Sequence, residues 1–134
     1  SFASHELEMA ENSKEGSYWY VISSQEKKFV EIMGDSMQTF MDIAKEKNIR
    51  TKVIGVGADV NWFLKAKEEF PGYEYKMLPG LKEGPSSLVI RDGNVSFESF
   101  EPVPLCYTIH NEVVAENYKN IFEVLWNMLE DRRS

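Results

Sequence analysis

The stretch GPSSLVIRDGNVSF, residues 84–97, carries serines at one end of an apolar run and the acid Asp92 at the other. An acid there can serve as base or ligand, but Asp92, Gly93 and Asn94 also have the backbone tolerance of a tight hairpin turn, and Asp92 reads as a turn residue. GVGAD, residues 55–59, follows one apolar run and opens a helical pattern, where a glycine-rich loop can cradle phosphate; it lacks the third glycine and the lysine of a P-loop. Cys106 and His110 stand four apart and share a face on a regular strand, yet no third ligand lies near them in the sequence. No metal site is expected there, and His110 reads as a partly buried histidine beside a helix start. Ser23 and Ser24 lack a neighbouring histidine to activate them and should satisfy backbone groups. His5 lies in a weakly patterned segment, and Arg132 and Arg133 suit the solvated end of a helix, where cations favour the dipole.

These residues need a scaffold, and the composition describes it. A chain of 134 residues with 43% hydrophobic and 28% charged residues fits one packed domain. Trp19, Trp62 and Trp126 supply large burial area without metal or disulfide staples. Cys106 is the only cysteine, which excludes an intrachain disulfide and fits a reducing, cytoplasmic setting. No apolar run approaches the roughly 20 residues of a membrane span. The net charge of −7 argues against direct nucleic-acid binding by this segment, since phosphate contacts rest on clustered Lys and Arg.

The element pattern is that of an α/β domain. Residues 1–16 are polar, offer Phe2, Leu7 and Met9 as anchors, and read as a flexible tail or the end of an upstream linker helix; the domain proper is 17–134. YWYVISS reads as a buried strand, and QEKKFVEIM is ambiguous. GDSMQTFMDIAKEKN follows with Asp35 or Ser36 as cap and Met37, Phe40, Met41 and Ala44 on one helical face. TKVIGVG is a second buried strand, far enough on for parallel pairing. Asp59 can cap the helix VNWFLKAKEEF, which Pro71 and Gly72 end. YEYKML, SSLVIRD, NVSFESF and LCYTI read as further strands, and a long helix starts near Asn111 with Val114, Tyr118, Ile121, Leu125 and Met128 on one face. Phe122 and Trp126 widen that apolar arc, which suggests interface anchors in a homodimer, or a helix sunk between two layers of its own domain. The expected architecture is an α/β sandwich with a mixed sheet flanked by helices.

The succession YVIS, IRTKVIGVG, YEYKMLPGLKEGPSSLVIRDGNVSFESF and IHNEVVAENYKNIFEVLWNML resembles the phospholipase D-like domain on the C-terminal side of archaeal TrmB-like transcriptional regulators, over roughly residues 18–129. Active members of the phospholipase D superfamily carry on such a hairpin a His, a Lys two residues later and an Asp five further on. An imidazole there attacks phosphorus while a cation stabilises the equatorial oxygens. Counting back from Asp92, Pro85 stands at the His position and Ser87 at the Lys position. The resemblance thus implies a non-catalytic effector-sensing or dimerisation domain, cytoplasmic and without cofactor, whose DNA contacts come only through an attached module.

In open α/β sheets ligands sit beyond the carboxyl ends of the parallel strands, where helix N-termini offer free N–H groups. That rule places the ligand site at Ser23, Ser24, Val56, Gly57, Asp59, Asn61 and Trp62, with Ser87 from the hairpin, and favours an anion or a sugar as effector. The alternatives are a diverged phosphodiesterase or nuclease, and a structural dimer module without ligand.

Overall fold

The computed structural model describes residues 1–24, 26–57 and 60–130. Among them are five helices and six strands in the order α1 (Phe2–Asn12), β1 (Tyr18–Ser23), α2 (Glu26–Met33), α3 (Ser36–Glu46), β2 (Arg50–Val56), α4 (Val60–Glu69), β3 (Tyr73–Leu78), β4 (Ser86–Arg91), β5 (Asn94–Ser99), β6 (Leu105–His110) and α5 (Glu112–Met128). One open sheet runs β3-β2-β1-β4-β5-β6. β1, β2 and β3 pair in parallel, and β4, β5 and β6 continue the sheet antiparallel. This is the mixed α/β sandwich expected from the element pattern.

The two halves follow from their connections. Helices α2, α3 and α4 return the chain across the sheet, so β1, β2 and β3 all point the same way. β4 and β5 are joined by Asp92 and Gly93, with Gly93 at φ +69°, a two-residue turn that only antiparallel strands can use. Asp92 is exposed and accepts a hydrogen bond from the backbone N–H of Lys14 at 3.4 Å, the part of a turn residue.

Register decides what each face of the sheet buries. Tyr20, Ile22, Ile54, Leu88, Ile90 and Val95 face α5, which covers them with Ala115, Phe122 and Trp126. Phe122 is 1% exposed and its ring lies 5.1 Å from that of Tyr20 and 5.8 Å from that of Trp126. Phe122 and Trp126, expected as interface anchors, are therefore core residues of their own domain. Of the expected stripe, Ile121 and Met128 point outward at 54% and 76% exposure, because the two large rings turn the helix to seat themselves on the sheet. The outer side of α5 keeps Val113 and Val124 in solvent, and β6 presents Leu105, Tyr107 and Ile109.

On the other face, α4 packs Phe63 and Ala66 against Val21, Val53, Tyr75 and Val89. Helices α1, α2 and α3 pack beside them through Ala10, Met33 and Phe40, around Trp19 of β1. The segment read as a tail or linker helix is thus α1, with Glu6, Met9 and Ala10 buried. The ambiguous QEKKFVEIM contains α2. α3 starts after Asp35, but the Asp35 side chain makes no capping hydrogen bond. Asn111 does cap α5, accepting from the N–H groups of Val113 and Val114 at 2.9 and 3.0 Å.

Candidate functional site

The face under α1 is polar where the sheet turns antiparallel. Because Ser23 pairs with Ser87, Ser87 with Glu98 and Glu98 with Cys106, these four side chains stand on one face, and the next rows add Val89, Ser96 and Thr108, then Arg91, Asn94 and His110. Ser23, Ser87, Arg91, Asn94, Ser96 and Glu98 are all buried. The Arg91 guanidinium donates through Nη2 to Oε1 of Glu6 on α1 at 2.9 Å and lies 4.6 Å from the centroid of the Trp19 ring.

A cavity of about 90 Å³ opens beside this pair. Glu6, Glu26, Glu98, Arg91, Ser87 and Tyr73 give it polar walls, and Trp19, Phe29, Phe40 and Phe70 are among its apolar ones. Arg91 Nε and Nη1, Glu98 Oε2, Glu6 Oε2 and the Tyr73 hydroxyl are buried and find no hydrogen-bond partner among the described residues. Such groups are rare in folded proteins and mark places where something else supplies the bond.

Burial raises the carboxyls. Desolvation, then the charge of Glu6, pushes Glu26 up to about 7. Glu98 is raised well above the usual carboxylate range by burial and by Glu6, against the opposing pull of Arg91. The Tyr73 hydroxyl is also raised, by burial first and Glu26 second. For Glu26 the folded value lies above the unfolded one near 4.5, so its contribution to stability is fully present below pH 4.5 and is lost as pH rises through about 7. Glu26→Gln cannot ionise. Urea denaturation across that pH range is expected to show the variant gaining on the wild type as pH rises, by up to about 3 kcal/mol. A constant difference between the two curves would contradict the burial of this carboxyl.

The residues anticipated at the strand ends divide. Ser23 and Ser87 hydrogen-bond each other through their hydroxyls, and Ser24 Oγ donates to the Gly84 carbonyl at 2.8 Å. Ser24, Val56 and Trp62 share a surface depression with Glu26 and Glu83, while Ser23, Ser24, Val56 and Ser87 share a second one with Glu98. Glu26 links the first depression to the inner cavity; Ser87 and Glu98 link the second. Gly57 has φ +102°, a backbone conformation that L side chains rarely adopt, and that conformation is what calls for glycine; a Cβ there would meet only the flexible end of the exposed Glu83. Asn61 is exposed and stands apart from both depressions. Asp59 lies outside the described residues, as do Arg132 and Arg133.

Glu6, Glu26, Arg91 and Glu98 did not stand out in the sequence. One signal was present: Asn94, Ser96 and Glu98 alternate on one face of β5, and Arg91 ends β4 on that same face. The His and Lys positions also separate. Pro85 is exposed, Ser87 is buried, and Asp92 is five residues along from Ser87, about 16 Å away on an extended strand.

No helix among the described residues is long and apolar enough to cross a membrane. No protein-family model matches the sequence, and no curated protein matches it. Among solved structures the chain is similar to TrmBL2, an archaeal chromatin protein described as showing a novel mode of DNA binding, with a TM-score of 0.62 at 16% identity over 98% of this chain and 50% of that one. The chain spans about half the length of that TrmB-like neighbour, and what the two share is the fold of a six-stranded, open, mixed α/β sheet.

Proposed function

We propose that this chain is the phospholipase D-like regulatory domain of a TrmB-like transcription regulator, that it is not an enzyme, and that it binds a small hydroxyl-bearing effector in the cavity under α1 and α2. DNA is met by another module of such a regulator, since this segment has a net charge of −7. The observation that carries the reading is the set of unpartnered buried atoms around the cavity. Arg91 Nε and Nη1 need acceptors, while the Glu98 carboxyl, raised by burial, and the Tyr73 hydroxyl can each use a donor or an acceptor. A hydroxyl both donates and accepts, so a polyol or sugar suits this mixture. An anion suits it less, because it would face Glu6, Glu26 and Glu98 with Arg91 as counter-charge.

Hydrolysis is disfavoured by the same geometry. Pro85 carries no nucleophile, and Ser87 is held by Ser23 with no lysine at its position. Self-association, for its part, has the outer side of α5 and the row Leu105, Tyr107 and Ile109 to use, rather than Phe122 and Trp126.

The test is a thermal-shift series with polyols and simple sugars on the wild type and on Ala44→Leu, whose larger side chain projects from α3 where that helix lines the cavity. The wild type should be stabilised by at least one of these ligands and the variant should lose most of that shift. Neither protein should turn over bis-p-nitrophenyl phosphate above a buffer blank. Ligand shifts that are equal in the two proteins would remove the cavity from the reading, and turnover that survives repurification would remove the non-enzymatic part.

A further inference from the structure

The polar face continues past the cavity to the sheet edge, where α1 and β6 bring together residues from opposite ends of the chain. His5 and Glu6 descend from α1, while Glu98 and Cys106 stand directly opposite each other on β5 and β6. Donor atoms of His5, Glu6 and Cys106 all lie within 4.8 Å of one another. Glu6 Oε2 is 3.9 Å from His5 Nε2. Glu6 and Glu98 are 0% and 3% exposed, and the Oε2 atom of each is without a hydrogen-bond partner among the described residues.

We propose that His5, Glu6 and Cys106 form a binding site for a borderline-soft divalent transition ion, zinc first among them, with water as the fourth ligand. The donor set argues for the class: one imidazole, one thiolate and one carboxylate match zinc, whereas calcium and magnesium take oxygen ligands. Zinc bonds of about 2.0–2.3 Å put tetrahedral ligands about 3.3–3.8 Å apart, so the side chains close in by roughly an ångström on binding.

The surroundings fit a metal site. Arg91 already holds the other oxygen of Glu6 at 2.9 Å, which orients the carboxylate and leaves Oε2 for the ion. The Thr108 hydroxyl lies 3.2 Å from His5 Nε2, 3.5 Å from Cys106 Sγ and 2.8 Å from Ser96 Oγ, so Ser96 keeps it bonded when the imidazole and the sulfur turn to the metal. His5 and Cys106 are only partly buried, which leaves a path for entry. Two of its three protein ligands, His5 and Cys106, do not line the cavity, so the site stands whether or not the cavity takes an effector.

The experiment titrates cobalt(II), and then zinc(II), into the tag-free, metal-stripped chain. Wild-type protein should bind one equivalent of cobalt with a thiolate-to-metal charge-transfer band and intense tetrahedral ligand-field bands, and zinc should displace it. Cys106→Ser should lose the charge-transfer band, and His5→Ala should weaken binding by at least about tenfold. Circular dichroism of each metal-free variant shows that it is folded, and His5, on the outer part of the cluster, is the substitution most easily borne. Absence of the bands in the wild type overturns the proposal. So does an affinity unchanged in both variants, which would mean that the ion sits elsewhere.

Discussion

Arg91→Met should destabilise the domain by about 3–5 kcal/mol at neutral pH, the cost of leaving a buried charge without its partner. The Arg91 side chain is 3% exposed and pairs with a Glu6 side chain that is 0% exposed. Methionine keeps most of the volume and the contact with Trp19 but removes the positive charge facing Glu6 and Glu98. The penalty then comes from the Glu6 carboxylate, left buried without its partner. Arg91→Met combined with Glu6→Gln and Glu98→Gln should recover most of the loss. Urea denaturation of the single and triple variants measures both quantities, and a single-variant loss below about 1 kcal/mol would show that water reaches these carboxylates.

Trp126→Ala should cost about 3–5 kcal/mol of stability and leave any self-association unchanged. Its ring is 7% exposed, stacks on Phe122 and receives the Lys76 ammonium at 4.8 Å from its centroid. Removing it opens a large void between α5 and the sheet, and Phe122 cannot fill that void without leaving Tyr20. Denaturant melts read the first effect and sedimentation reads the second. A variant that melts like the wild type but sediments as a smaller species would restore Trp126 as an interface anchor.

The two variants mark how far the sequence could be read. The strands were legible because each combines β-branched and aromatic residues with turn signals, and DGN located the hairpin. The mixed sheet followed from the long β1 to β2 connection beside that short one. The polar floor of the cavity was not legible. Ser87, Arg91, Ser96 and Glu98 alternate with apolar residues, the pattern of a strand with one face in water. α1, from a distant part of the chain, together with α2 and α3 turns that face inward, and the α1 segment is too polar to announce a packed helix. On α5 the apolar positions were too many to choose among: spacing alone does not distinguish Ile121 from Phe122, and ring size settles which of them the sheet receives.

The candidate site follows the same limit. A general rule about parallel strand ends led to Ser23, Ser24 and Trp62, which line surface depressions. The charged groups that give the cavity its character lie deeper, on β4, β5, α1 and α2, and no rule about strand ends reaches them.

The position of β6 has a colloidal consequence. It is the last strand of an open sheet, so one side of its backbone offers N–H and C=O groups to any other extended chain. Leu105, Tyr107 and Ile109 beside that row would reward such a contact at high concentration. Two features work against endless addition. Pro102 and Pro104, just ahead of β6, have no N–H to donate and cut the usable edge to a few residues, and the net charge of −7 keeps molecules apart at low salt. Concentrated stocks should therefore keep best at low ionic strength, where that repulsion reaches farthest.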